Sequence, residues 1–406
     1  VNTSQDPSLP LQGVKVLEFS HAILGPACGM VLADLGADLI HVEAPHGDYT
    51  RRLRGFGSGF FPFFNRNKRS LAVDIKTDDG KAILRKLITG TDVVIENFGP
   101  GTMERLGYGY EELSRLQPRL VYCALKGFLR GPYEQRQALD EIVQMMGGLA
   151  YMTGPPGQPL RAGSSIVDIG GAMFGVIGIL LALQERERTG KGQLVKSGLF
   201  ETTAFFMGQH MACAAQSDEP LPPMAARRDI WSIYQTFDTS TGEPVFIGIT
   251  SDKHWQRFCA AFERDDWLQD ERLVDNRGRL AEGSWLIPAV KEMIGRRTKA
   301  DVVALCEQAN IPFSPVAHPE DLCEDPHLNQ GAGLLETRFP NGLTTKLPRI
   351  PIETQHDFGL RLNPPQIGEH TRDILVELGY DAERIGELSE RRVVTSFDPS
   401  ATGESS

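Results

Sequence analysis

Residues 14–42 read VKVLEFSHAILGPACGMVLADLGADLIHV. The run 14–19, VKVLEF, is a short apolar strand bounded by Gly13 and Ser20. Gly25 and Pro26 then open a helix, with proline in the first turn, where its missing N–H costs nothing. Met30, Val31 and Leu35 continue that helix and Gly36 stops it. The run 38–42, DLIHV, is a second strand. A strand, a helix and a strand in this order predict a βαβ unit, and hence a parallel sheet.

The alternation continues outward. After a loop rich in Gly and Arg (45–61), a short strand is predicted at 71–74 and a helix at 81–87. A further strand, VVIE, lies at 93–96, a helical stretch at 102–116, and another strand, VYCAL, at 121–125. This pattern predicts a doubly wound α/β domain with a parallel sheet. Ligands of such sheets bind beyond the carboxyl ends of the strands. Those ends carry residues 20–24, 43–45, 97–99 and 126–128.

A long apolar helix is expected over 164–188, then a strand at 193–197 and a helix at 200–215. The segment QSDEPLPP (216–223) changes composition and reads as a linker. A smaller α+β domain follows over 226–311, with strands at 233–237 and 245–249 and helices at 255–262, 285–294 and 301–308. The large domain would thus comprise 1–215, and 320–406 would return to it.

The 406 residues carry a net charge of −11, which argues against the basic footprint of non-specific nucleic-acid binding. The six cysteines form no CxxC, and there is no HExxH, so no metal site is expected. The polar start, VNTSQDPSLP, lacks an apolar signal core. The longest apolar run, 171–183, is shorter than a bilayer span of about 30 Å requires. A cytoplasmic, metal-free protein with no membrane partner is expected.

Several motifs fail on context. The glycines of 55–59 do not follow a strand, as a dinucleotide fingerprint would need. Residues 188–193, RTGKGQ, lack the upstream glycine and the hydroxyl residue of a P-loop. No GxSxG elbow is present.

Other residues remain open to two readings. Asp168 heads the apolar helix; it is either a helix cap or a nucleophilic carboxylate. His21, just past a strand end, is either a general base or a hydrogen-bonded structural imidazole. The basic residues within 65–69, with Lys76 and Arg105, are either solvated or a phosphate-binding group, to which the Asn97 loop would add N–H donors.

The chain resembles family III CoA transferases, the CaiB–BaiF group, over nearly its whole length. The residues that carry the resemblance are GVKVLEFSHAILGPACGMVLADLGADLIHVE (13–43), NKRSLAVDIKT (67–77) and ENFGPGTMERLG (96–107). DEIVQMMGG (140–148), VDIGGAMFGVIGILLALQERERTGKGQ (167–193) and IGEHTRDILVELGY (367–380) follow in order. The resemblance implies an interlocked homodimer of two-domain subunits. It implies that Asp168 is the nucleophile and that CoA enters as an acyl-CoA substrate. It places CoA contacts on His21, Ile23 and Leu24, on Val73, Asp74, Ile75 and Lys76, and on Asn97, Phe98 and Gly99. Arg105 and the segment Gln137, Ala138, Leu139 and Asp140 complete the implied contacts.

The implied reaction moves CoA between carboxylic acids through mixed anhydrides and an aspartyl-CoA thioester. Formyl-CoA:oxalate members have Gln where this chain has Ile23 and Tyr where it has Leu139. Their glycine-rich loop stands here as residues 249–252, ITSD. These departures argue against formyl and oxalate specificity. Arg227 and Arg228 are candidate clamps for a distal carboxylate, which points to four- or five-carbon dicarboxylates. The alternatives are an α-methylacyl-CoA racemase and a non-catalytic CoA-binding protein. The racemase needs an imidazole where this chain has Leu139, which carries no proton.

Overall fold

The computed structural model describes residues 9–226 and 230–398. These divide into two compact units: one runs up to Ala225 and resumes at Pro326, the other is Ala226–Asp325.

The first unit is built on a parallel sheet. Its strands are β1 (Lys15–Phe19), β2 (Asp38–Glu43), β3 (Arg69–Val73), β4 (Val93–Glu96), β5 (Val121–Lys126) and β6 (Leu194–Gly198). The spatial order is β3-β2-β1-β4-β5-β6, and Val394–Thr395 pairs antiparallel beyond β3. The order reverses direction between β1 and β4, which pair with Glu18 opposite Ile95. A crevice at such a switch point is where doubly wound sheets bind ligands.

Successive side chains of a strand point to opposite faces. Val16, Val93 and Ile95 therefore join one core with α1 (Leu24–Asp34). Leu17, Phe19 and Val94 join a second core, with α2 (Asp78–Thr89) and the helices Thr371–Glu377 and Ala382–Glu390. Both faces are covered, which is why the strands read as continuous apolar runs.

Three further helices frame the site: α3 (Asp140–Met146), α4 (Ile166–Thr189) and α5 (Leu199–Phe206). The glycines of α4 let it lie close on the sheet. A Cβ on Gly175 would stand 2.7 Å from Leu125 Cδ2, and one on Gly178 would stand 2.5 Å from Val195 Cγ1. At 24 residues α4 is longer than the apolar run seen in the sequence, because residues 166–170 and 184–189 also coil. By length and composition alone it could cross a membrane, which corrects the reading that no segment could; half of its most apolar stretch is buried in the protein.

Two predicted helices are broken. The stretch 102–116 divides at Gly107, whose φ of +81° ends Thr102–Leu106 before Tyr110–Leu116 begins. The stretch 200–215 divides at Met207 into α5 and Gly208–Ala214.

The second unit has an antiparallel sheet of Ile233–Asp238, Pro244–Ile249 and Phe313–Pro315. Because Phe313–Pro315 is hydrogen-bonded into this sheet, the unit continues past residue 311, where the sequence suggested an end. Trp255, Phe258, Leu286 and Val290 lie in its core, and Trp255 stacks on Trp267 at 5.9 Å.

Candidate active site

The carboxyl ends of β1 and β4 are tied together by one side chain. Asn97 Nδ2 donates to the His21 carbonyl at 2.8 Å, and Asn97 Oδ1 accepts from the His21 N–H at 3.1 Å. An amide can both donate and accept, so it suits two strand ends with complementary free groups. The turn forces Ala22 to φ +62°, a strained value for a residue with a Cβ. The His21 ring makes no hydrogen bond among the described residues. It stacks on Phe98 at 5.4 Å and leans on Tyr49 at 5.6 Å, and burial lowers its pKa.

The Asn97–Phe98 turn is lashed down by a buried acid and a lysine. Glu96 Oε2 accepts from the Phe98 N–H at 3.0 Å. The Lys126 ammonium donates to Glu96 Oε2 at 2.8 Å and to the Phe98 carbonyl at 2.8 Å, and it pairs with Glu96 Oε1 at 2.6 Å. Burial raises the Glu96 pKa, against the pull of Lys126.

Asp168 stands in the first turn of α4, but it does not cap the helix. Ser165, at the cap position, makes no side-chain capping bond either. The capping group comes from α3: Asp140 Oδ2 accepts from the N–H of Val167 at 2.9 Å and of Asp168 at 3.0 Å. Asp140 Oδ1 accepts from Gln144 Nε2 at 2.6 Å and from Arg161 Nη2 at 3.3 Å. The Asp168 carboxylate is thereby left without a hydrogen-bond partner among the described residues. Burial raises its pKa from 3.8 to about 7; the charge of Asp140 adds to the rise and that of Arg161 opposes it. A carboxylate so held is poorly solvated and basic, as a nucleophile should be.

Asp168 opens into a cleft of about 510 Å³. Of the residues expected in the site, the cleft gathers His21, Ile23, Leu24, Asn97, Phe98, Gly99, Gln137, Ala138, Leu139 and Asp140. A second cleft of about 720 Å³ lies over the ends of β2 and β3 and holds Val73, Asp74, Ile75 and Lys76. Phe98 lines both clefts.

Residues 11–371 match the sequence profile of CoA-transferase family III. The chain belongs to that family. It is 31% identical to the succinyl-CoA–L-malate CoA-transferase beta subunit of Chloroflexus aurantiacus, over 95% of this chain and 98% of the relative. It is 30% identical to a formyl-CoA:oxalate CoA-transferase of Rhodopseudomonas palustris, over 93% and 96%. Among solved structures, a CaiB/BaiF family protein from Brucella suis superposes with a TM-score of 0.82 at 31% identity, covering 91% of this chain and 99% of that one.

Arg105 lines neither cleft; it is exposed and donates to Thr102 Oγ1 at 2.9 Å. Arg227 and Arg228 lie outside the described residues. The basic group at 65–69 is not free to bind phosphate, contrary to one reading of the sequence. Arg66 is buried against Asp34, Lys68 against Glu18, and Arg69 pairs with Asp38 and Glu377. Lys68 also donates to the Pro26 carbonyl at 2.9 Å, which fixes the start of α1 beneath the cleft. Sequence reasoning placed Lys126 at a ligand-binding strand end without giving it a role, and missed Arg136 and Arg161. Arg161 precedes Asp168 in a loop with no periodicity, and no signal in the sequence marks it.

Proposed function

We propose that this CoA transferase moves CoA from an acyl-CoA thioester to a small dicarboxylic acid, with Asp168 as the nucleophile. The observation that carries the proposal is the unpartnered Asp168 carboxylate in the cleft, freed from capping by Asp140. The relatives support the substrate class, since malate, succinate and oxalate each carry two carboxylates.

In the proposed first step, an Asp168 oxygen attacks the thioester carbonyl. The C–S bond breaks, a mixed anhydride forms and CoA leaves as thiolate. The thiolate then attacks the aspartyl carbonyl, releasing the donor acid as carboxylate and leaving an aspartyl-CoA thioester. An acceptor carboxylate attacks that thioester and again expels thiolate. The thiolate attacks the acceptor's carbonyl in the second anhydride, which yields the new thioester and restores the Asp168 carboxylate. No proton is gained or lost over the cycle. The acyl-pantetheine end would lie in the cleft of Asp168, past Phe98, with the nucleotide end over Val73 to Lys76.

The chain is proposed to act as an interlocked homodimer in the cytoplasm. Six cysteines without disulfides support a reducing compartment.

Incubation with acyl-CoA followed by borohydride or hydroxylamine should leave a covalent change at Asp168, read by peptide mass spectrometry. Asp168→Ala should abolish transfer while CoA still binds. Near-normal turnover in that variant would refute the nucleophile.

A further inference from the structure

Three permanent cations line the cleft: Lys126, Arg136 and Arg161. The Lys126 ammonium is occupied by Glu96 and the Phe98 carbonyl. The Arg136 guanidinium lies 4.9 Å from the Tyr133 ring centroid and 5.8 Å from that of Phe128, on an exposed segment. Arg161 differs from both. Its Nη2 donates to Asp140 Oδ1 at 3.3 Å, the Ser164 carbonyl at 3.1 Å and Ser165 Oγ at 3.4 Å. These contacts are long and all fall on one nitrogen. Among the described residues Nη1 makes no hydrogen bond, and it is not buried, whereas Nε is buried and unpartnered.

Asp140 joins this guanidinium to the nucleophile. One of its oxygens takes Arg161 and the other takes the Asp168 N–H. Arg161 therefore stands near Asp168 in the lining of the cleft, held through Nη2 and 5.6 Å from the Phe56 ring centroid, with Nη1 neither buried nor hydrogen-bonded among the described residues. We infer that Arg161 binds the second carboxylate of a dicarboxylic acyl group while the first carbonyl reacts at Asp168. This assignment rests on the transferase reading and adds to it the residue that selects a dicarboxylic acyl group.

The physical argument is one of pairing. An acyl chain ending in a methyl group would cover the open Nη1 and leave it without water or acceptor. A terminal carboxylate replaces that water with a charge-assisted bond. A site built around a polar partner rejects the analogue that lacks it more strongly than an apolar pocket rejects a size change. The second carboxylate also enters a cleft already carrying Asp140 and Asp168, where an anion without a cation would be repelled. Because both anchoring residues meet on one carboxylate, the favoured acyl chains are short.

The test compares succinyl-CoA with butyryl-CoA, which differ by a carboxylate at the same chain length. In double-displacement kinetics kcat/KM for the donor reports the first half-reaction, whatever the acceptor. The unaltered protein should prefer succinyl-CoA, and Arg161→Gln should lower the succinyl-to-butyryl ratio of kcat/KM about 30-fold, mostly through KM. If that variant does not fold, Arg161→Lys carries the same test, with a fall of about fivefold because the planar fork is lost. An unchanged ratio, even with both rates reduced, overturns the assignment and leaves Arg161 a positioning residue for Asp140. A parent that does not prefer succinyl-CoA overturns it too. No transfer from either donor in the unaltered protein overturns the transferase reading and this inference with it.

Discussion

Asp168 and Asp140 exchange the roles that a local reading of the chain would give them. An acid in the first turn of a helix is ordinarily explained by the backbone N–H groups beside it. Here those N–H groups are satisfied from 28 residues away, and the nearby acid is left over. The leftover charge bears on stability. The Asp168 pKa is raised in the folded chain to about 7, against 3.8 ordinarily. The folded state therefore holds the proton more tightly than the unfolded state. Between those two values the folded chain binds more protons, so this group's contribution to stability falls as pH rises from about 4 to about 7, and is flat above. Asp168→Asn removes the slope. It should leave stability unchanged near pH 4 and raise it by about 1–3 kcal/mol at pH 8, a cautious share of the shift for a partly solvated group. Urea denaturation at both pH values measures this; equal effects at the two would show that the carboxyl is not held near neutrality. Asp168 was visible in the sequence as a candidate and Asp140 only as an implied CoA contact; the capping role of Asp140, which decides between the two readings of Asp168, was not visible, because the two residues meet only through the fold.

At the level of elements, the start of α4 depends on α3. Asp140 accepts two N–H groups of α4, one amide of its own helix and one guanidinium. Asp140→Ala strands the two N–H groups of α4 and the Gln144 amide at once, while Arg161 keeps Ser164 and Ser165, and should cost about 2 kcal/mol or more of unfolding free energy, the upper end for a lost cap. The fall in denaturation midpoint at constant slope is the measurement. A loss below about 0.5 kcal/mol would mean that Ser165 or water caps α4 instead. The same removal takes a negative charge from beside Asp168, so its pKa should fall. The elements themselves were largely legible. Strands β1, β2, β4 and β5 are apolar runs bounded by breakers, and a buried parallel sheet asks for little else. What was not legible is the use of charge. Arg66 and Lys68 sit in a run that looks solvated, yet both are almost wholly buried, because Asp34 on α1 and Glu18 on β1 reach them across the fold. Partners 32 and 50 residues apart leave no periodic mark in a chain.

For the molecule as a whole, the outer face of α4 is the feature that the isolated chain leaves unexplained. Phe174, Ile177 and Leu181 recur at helical spacing on one face. Ile177 is 51% exposed and Leu181 is 61% exposed. On α5, Phe205 is 69% exposed and meets Phe174 edge to face at 5.1 Å, so the apolar surface continues across two helices. A continuous apolar face of this kind marks an association site in a soluble protein. It is the surface on which the proposed homodimer would close. If the subunits interlock, they cannot part while folded, and unfolding and dissociation become one event. The denaturation midpoint should then rise with protein concentration, as it does for obligate dimers. Light scattering across the same concentrations should give twice the chain mass throughout, with no folded monomer on dilution. The paired substitution Ile177→Glu and Leu181→Glu should lower the midpoint and yield unfolded or aggregated chain rather than active monomer. A soluble, folded monomer from the unaltered protein would rule out the dimer. A dimer unaffected by both substitutions would place its interface elsewhere.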